Sequence, residues 1–468
     1  MNNVCAYSKA DLLALKSKLE QEYAACQARN LKLDMSRGKP ASTQLDLSNG
    51  ILTSTLTTYT TEDKTDTRNY GILTGITEAK KLFSELLDIP TDKLIIGGNS
   101  SLNLMYDTMV RHMLFGTQGC TPWTKLDKVR FLCPSPGYDR HFAICEELGI
   151  EMITVPMTSN GPDMDFVEQA CAADDSIKGI WCVPLYSNPQ GICYSDETVD
   201  RLAKMKAAAD FRIFWDNAYG VHHIFAERKL KDIFKACEDA GNPNRPYYFF
   251  STSKITFPGA GVALMASSLS NLEEVKKHMG IQTIGFDKIN QLRTVNFLKD
   301  AENVRAHMRK QADELKPKFH VVLETLDREL SGSGLAEWEK PDGGYFVAVD
   351  TLDGCAKEVV RLAKEAGVTM TGAGATFPYK KDPRNRNILI VDEVLDSGRT
   401  LKAIRENLLE LGALNVKTAV LVEKKLDRPD GLEHADWSGF YMDDRYLIGC
   451  GMDSEEKYRH YPGIAVLV

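Results

Sequence analysis

The sequence predicts an α/β fold: a mainly parallel sheet with helices on both faces, a smaller α/β domain after it, and a further α/β segment at the end. Three observations lead there. From about residue 75 onward, helical patterns alternate with short β-branched or aliphatic runs (KLIIGG, KVRFLCPSP, IEMITVPM, IKGIWCVPLYSNP, FRIFWDNAY, YYFFSTSK), as in sheets built by crossover connections. Most polar signatures fall at the carboxyl ends of those runs, where such sheets bind ligands. After Asn387 the pattern restarts with strand ILIVD, a glycine turn, helix TLKAIRENLLELG and strand VKTAVLV.

Bulk properties narrow the class. A chain of 468 residues exceeds one compact core, so two or three domains are expected. The net charge of −8 is spread along the chain, which argues against nucleic acid or an anionic membrane as the main partner. Eleven cysteines occur without CxxC or short Cys/His spacing, and the N-terminus MNNVCAYSKADLL lacks a signal-like segment, so reduced thiols in a cytoplasm are expected. No apolar run approaches the roughly 18 residues of a membrane span.

The elements follow in order. Ser8 is placed to cap a helix whose Leu12, Leu15, Leu19, Tyr23 and Cys26 recur at helical spacing. That helix predicts an N-terminal arm, residues 1–50, packed on another domain or subunit. Residues 51–297 hold the alternating pattern of a large domain. Residues 299–330 read as one long charged helix, and EWEKPDGGYFVAVD through KEVVRLAKEAGVTMTGAG adds strand, helix and turn, giving a small domain over 298–387. Residues 388–468 form the last segment. No Pro/Gly-rich linker precedes it, so the strand ILIVD is expected to continue the preceding domain.

The strand ends of the large domain carry one set of polar residues: Asn188 in YSNPQG, Asp216 and Tyr219 in WDNAY, and Lys254 in STSKIT. A carbonyl cofactor such as pyridoxal phosphate needs a lysine for a Schiff base. It also needs a carboxylate to keep its ring nitrogen protonated, and hydrogen-bond donors for its phenolic oxygen. Singly these residues also fit an ordinary turn, a helix cap and a solvated lysine; their order and spacing favour the cofactor.

Residues 30–387 resemble the fold type I pyridoxal-phosphate aminotransferases, most closely the aspartate aminotransferase subgroup, through SRGKP, CPSPGYDRHF and STSKIT. The resemblance implies that Lys254 binds the cofactor and moves the substrate α-proton, that Asp216 pairs with the pyridinium nitrogen, and that Tyr219 and Asn188 hold the phenolic oxygen. It implies that Tyr138 stacks on the ring and that Ser100, Ser101 and Leu102 receive the phosphate at a helix start. Tyr70 in RNYG resembles a tyrosine that reaches a phosphate across a dimer interface, which implies a homodimer with shared sites. Two positions depart from the wider pattern. Val262 stands where many relatives carry a phosphate-binding arginine, and Ser251, Ser253 or a cross-subunit Lys288 would compensate. Leu389 stands where the family has the arginine that clamps the substrate carboxylate, which implies impaired transamination. Arg37 and Arg140 are further anion partners or solvated arginines; the pair His222 and His223 lacks a third metal ligand and fits packing or hydrogen bonding.

A second set lies in VDEVLDSGRTL. Asp392 and Glu393, at a strand end, suit the vicinal hydroxyls of a sugar, and Ser397, Gly398, Arg399 and Thr400 form a turn at a helix start that suits a phosphate. A helix cap is the plain alternative for Asp396 and Ser397. With LVEKK, WSGFYMDDRYLIGCGMD and EEKYRHYPGIAVL, residues 388–468 resemble the C-terminal half of a hypoxanthine phosphoribosyltransferase. That resemblance implies Asp396 as general acid or base near the purine, Lys425 on its 6-oxo group, Tyr446 stacked on the base and Leu447 bonded through its backbone. It further implies Asp453 on Mg²⁺ and Arg459 on pyrophosphate. The expected function is therefore transamination of an aspartate-like amino acid with a 2-oxo acid. Alternatives are a half-module for phosphoribosyl pyrophosphate, of the kind used in purine salvage, and a non-catalytic nucleotide-binding tail.

Overall fold

A computed structural model describes residues 3–29, 33–34, 40–372, 374–384, 387–395, 405–406, 415–424, 434–442, 447–448 and 465–466. The chain forms two compact units, one of Met1–Thr351 with Glu358–Lys381, the other of Leu352–Lys357 with Asp382–Val468.

The first unit is built on an eight-stranded sheet. Its strands are β1 (Leu94–Ile96), β2 (Arg130–Ser135), β3 (Glu151–Thr158), β4 (Gly161–Pro162), β5 (Ile177–Cys182), β6 (Arg212–Asp216), β7 (Pro246–Ser251) and β8 (Ala263–Ala266). Their order is β1-β8-β7-β6-β5-β2-β3-β4. The run β7-β6-β5-β2-β3 is parallel, while β8 is antiparallel to both β1 and β7 and β4 is antiparallel to β3. All six runs expected from the sequence are strands. The four residues of β8 were not expected: ALMA is too short to announce a period. Because β8 reverses twice, β1 points the same way as β7, and both deliver their carboxyl ends to one edge.

The central strands β5 to β8 are buried throughout, as parallel strands covered on both faces must be. Successive side chains alternate between faces. Phe131, Trp181, Phe214 and Phe249 enter one core, with Leu104, Met105 and Met109 from the helix above them. Leu132, Ile180, Trp215 and Phe250 enter the other, with Leu82 and Phe83. Helix α2 (Thr77–Leu87) shows the cause: Ala79, Leu82, Phe83 and Leu86 recur every three or four residues and all are buried. Phe83 packs edge-on against Phe250 with ring centroids 6.1 Å apart. Burying a ring of that size stabilises the fold by about 1.5–3 kcal/mol.

Helix α1 (Lys9–Ala28) has the expected start, a capping box in which the Ser8 hydroxyl accepts from Asp11 N–H. Its contacts within this chain are sparse. It has no buried residue, Leu13 is 58% exposed, and its tertiary hold is the Tyr23 hydroxyl donating to Leu362 O at 2.9 Å. The long charged helix is present as Ala301–Leu330, with Pro317 inside it. Its first half buries Val304, His307, Met308 and Gln311.

The second unit contains a three-stranded parallel sheet of Asn387–Leu395, Asn415–Lys424 and Trp437–Met442, in that order. The expectation that ILIVD continues the preceding domain is corrected here. Along its described length the strand pairs with Asn415–Lys424, so its ladder lies within the C-terminal segment. Parallel pairing with Asn415–Lys424 satisfies the backbone groups on one side of this edge strand. Asp436 fixes one end, accepting from Thr418 N–H at 2.8 Å and the Thr418 hydroxyl at 3.0 Å. Among the described residues no helix is long and apolar enough to cross a membrane.

Candidate active site

The carboxyl edge of the sheet gathers the first polar set. Strand β2 leads to Tyr138, β5 to Asn188, β6 ends on Asp216 and leads to Tyr219, and β7 ends on Ser251 and leads to Ser253 and Lys254. Strand β1 leads into helix α3 (Ser101–Phe115), with Ser100 at its cap.

Asp216 is 3% exposed. Its Oδ2 accepts from His141 Nε2 at 3.0 Å, whereas Oδ1 is buried and has no hydrogen-bond partner. A buried carboxylate oxygen left unpaired is costly, so the site is built for a donor that the chain does not itself supply. A protonated ring nitrogen is such a donor, and in this respect the residues fit pyridoxal phosphate. His141 lies flat on Trp181, centroids 4.3 Å apart and planes at 7°, and Tyr138 meets it edge-on at 5.0 Å. Asn188 and Tyr138 line one small cavity with His141 and Trp181.

The Lys254 ammonium lies 4.8 Å from the centroid of the Tyr219 ring. Burial holds it below the usual lysine range, and the Asp216 charge opposes that shift only in part. The Tyr219 phenol is pushed well above its usual range, by burial first and the Asp216 charge second. His222 sits behind both. Its Nε2 is 3.3 Å from Lys254 O, and burial, then the Lys254 charge, press its pKa down to about 3, so the ring is neutral.

The expected phosphate cradle is present in outline. No side chain caps α3, so its first N–H groups face outward with the positive end of the helix dipole. The Ser251 hydroxyl donates to Ser253 Oγ at 3.1 Å, and that hydroxyl to Asn99 O at 3.4 Å, which ties the lysine loop to the helix start. Val262 is buried, and Lys288, also buried, donates to Gly71 O of its own chain at 3.1 Å. Tyr70 is 81% exposed. Arg140 is exposed and His223 contacts the Tyr186 hydroxyl at 2.7 Å.

The next carbonyl after Lys254 is held by a buried network. Ile255 O accepts from His307 Nε2 at 2.8 Å and Gln311 Nε2 at 3.2 Å, and Gln311 Oε1 accepts from Gln44 Nε2 at 2.9 Å. None of these three residues, nor His141 as the partner of Asp216, was anticipated. His141 stood in the quoted CPSPGYDRHF segment; nothing local announced the other three.

Arg37, Asp396, Ser397, Gly398, Arg399, Thr400, Lys425, Tyr446, Asp453 and Arg459 lie outside the described residues, as do the side chains of Leu389, Asp392, Glu393 and Leu447. No cluster of metal-binding side chains occurs among the described residues.

Comparison with known proteins decides the family. The family model described as aspartate amino-transferase matches residues 7–420. The chain belongs to that family. As an aspartate aminotransferase family member it is a pyridoxal-phosphate-dependent enzyme, and its sheet is that of fold type I. It is 49% identical over 386 residues to a putative aminotransferase of Mycolicibacterium smegmatis, covering 81% of this chain and 90% of that protein. The crystal structure of an aspartate transaminase from Corynebacterium glutamicum superposes with a TM-score of 0.80 at 43% identity, over 82% of this chain and 91% of that one. A separate similarity, 44% over 87 residues, links the chain to the hypoxanthine-guanine phosphoribosyltransferase of Lactococcus lactis. It spans 18% of this chain and under half, 45%, of that enzyme. The family match at 7–420 extends past residue 387, where the aminotransferase resemblance ends in the sequence.

Proposed function

We propose that this aminotransferase moves the amino group of an aspartate-like donor to a 2-oxo acid at the edge formed by Lys254, Asp216 and Tyr219. The observation that carries this reading is the divided state of Asp216, one oxygen bonded to His141 and the other buried without a partner. When bound, pyridoxal phosphate supplies an electron sink for the pair left on the substrate α-carbon. Asp216 holds the proton on the ring nitrogen, and His141 fixes its orientation. Tyr219 and Asn188 donate to the phenolic oxygen, Tyr138 covers the ring, and Lys254 carries the α-proton. The first N–H groups of α3 with Ser100, Ser101, Leu102, Ser251 and Ser253 receive the phosphate, and Tyr70 completes it from a second subunit of a homodimer, where Lys288 also contributes charge. The enzyme is organised as arm 1–50, large domain 51–297, small domain 298–387 and added segment 388–468, and works in the cytoplasm.

Leu389 supplies no charge where the family clamps the substrate carboxylate, so turnover is weak. Losing a charge-assisted contact of that kind costs about 1.5–3 kcal/mol, roughly one to two orders of magnitude in affinity. The test is the visible absorption of the lysine-bound cofactor, present in the wild type and absent in Lys254→Ala, followed by its slow bleaching with aspartate. A band that survives in Lys254→Ala sinks the reading; brisk bleaching sinks the role given to Leu389.

For the last segment the parallel sheet Asn387–Leu395, Asn415–Lys424 and Trp437–Met442 and the 87-residue similarity favour a second reading. It is the back half of a hypoxanthine phosphoribosyltransferase joined to the aminotransferase. By that reading Asp392 and Glu393 would bind ribose hydroxyls, Ser397 to Thr400 the phosphate, Asp396, Lys425, Tyr446 and Leu447 the purine, Asp453 Mg²⁺ and Arg459 pyrophosphate. Carrying under half of that enzyme's length, it is catalytically silent by itself. Magnesium-dependent protection of residues 396–400 by phosphoribosyl pyrophosphate, measured by hydrogen exchange, would show a live site instead.

A further inference from the structure

Helix α3 has a second end. Its start belongs to the proposed phosphate cradle; its last turn, about 20 Å away at 1.5 Å per residue, borders a cavity of about 450 Å³. That volume is ample for a small metabolite. Arg111, His112, Phe115, Tyr247, Lys277 and His278 are among its walls. We infer that this cavity is a binding site for an oxyanion, a carboxylate or a phosphate, carried on a small partly apolar molecule.

The argument starts with Arg111. It is 9% exposed, its Nη2 donates to the Thr108 hydroxyl at 2.9 Å, and its Nε is buried without a partner. Among the described residues no carboxylate forms an ion pair with it. Asp107 lies near enough to favour its charge but takes its hydrogen bond from Gln282 Nε2 at 3.0 Å. Glu274, the only carboxylate on the cavity wall, accepts from Gln118 N–H at 2.8 and 3.1 Å. The C-terminal end of α3 offsets about half a charge, not a whole one. A desolvated guanidinium in this state calls for a counter-ion.

The other walls add to the same sign. His112 is 3% exposed, contacts the Tyr247 hydroxyl at 3.3 Å through Nε2, and leaves Nδ1 buried and unpartnered. Arg111 and Arg212 both act on it as positive neighbours. Lys277 is exposed at the rim, and His278 stacks on Phe115 with centroids 4.0 Å apart. Leu114, Pro122 and Val275 add apolar wall for the body of the ligand. Arginine presents a planar fork suited to the two oxygens of either anion.

The test is calorimetric titration of the cofactor-loaded enzyme at low ionic strength with inorganic phosphate and with benzoate. Saturable binding of either probe is expected, weakened about tenfold or more by the rim substitution Lys277→Glu and lost in Arg111→Gln, which equals the loss of one charge-assisted contact or more. Phosphate alone, benzoate alone, or both identify the anion class. Lys277→Glu alters only an exposed side chain and decides the matter should Arg111→Gln not fold. No saturable binding, or binding unchanged in Lys277→Glu, overturns the inference.

Discussion

Nε2 of His141 donates to Oδ2 of Asp216 across 3.0 Å, from a ring clamped flat on Trp181. Since a carboxylate only accepts, the proton on His141 is fixed at Nε2 and the free oxygen of Asp216 is fixed with it. Replacing His141 with leucine leaves Oδ2 of a buried carboxylate without its partner. A hydrogen bond to a charged group contributes about 1.5–3 kcal/mol. We expect His141→Leu to lower kcat/KM for transamination by about tenfold to a hundredfold while the lysine-bound cofactor band persists. Steady-state kinetics with the band as internal control checks this.

Lys254 predicts a pH-dependent stability. Burial holds its ammonium below the ordinary lysine range, so the unfolded chain binds that proton more tightly than the folded chain. The folded state is penalised in full below the lowered pKa, and the penalty fades as pH rises toward the ordinary value of about 10.4. Cofactor-free Lys254→Met should therefore melt above the wild type at neutral pH, the gap narrowing as pH is raised. A gap that does not change with pH would refute the account.

A buried ion pair in the first unit predicts a purely structural loss. The Lys178 ammonium lies 2.7 Å from Asp210 Oδ1, and Trp123 Nε1 donates to Asp210 Oδ2 at 2.9 Å. Asp210→Ala strands both the cation and the indole N–H. Breaking such a pair costs about 3–5 kcal/mol. Urea denaturation should show a lower midpoint with an unchanged slope, the shift in midpoint times that slope amounting to about 3–5 kcal/mol.

The network under the lysine loop predicts a loss of both stability and rate. Gln311→Leu removes donors from Ile255 O and Gln44 O and the acceptor of Gln44 Nε2. Ile255 O keeps His307 and Gln44 Nε2 keeps the Tyr345 hydroxyl, so the cost is that of the lost bonds, about 0.5–1.5 kcal/mol each. Because the loop carrying Lys254 loses one of its two anchors, kcat should fall with little change in KM; a change confined to KM would place the effect elsewhere.

The sequence made some of this legible and hid the rest for physical reasons. The six expected strands were visible as β-branched, aliphatic and aromatic runs, and Asp216, Tyr219 and Lys254 were visible because each lies at or after the end of such a run. His141 was quoted but given no role, because its partner is 75 residues away and is reached only through the strand order β6-β5-β2. Gln44, His307 and Gln311 read as ordinary polar residues; only burial makes their hydrogen bonds matter. The α1 stripe was correctly periodic, but a pattern cannot say what covers it, and among the described residues Leu15, Tyr23 and Cys26 are only partly covered.

The antiparallel seam of the large sheet sets a timetable. Strand β1 pairs with β8 alone, Leu94 opposite Ala266, so its partner is made about 170 residues later. At about 5–20 residues per second, a ribosome takes roughly ten to thirty seconds to close that interval. The helix start at Ser100 to Leu102 and the lysine loop after β7 stand on opposite sides of it. A nascent chain released before Ala266 thus holds the two halves of the cradle unjoined, and cofactor capture waits until more than half of the 468 residues have been made.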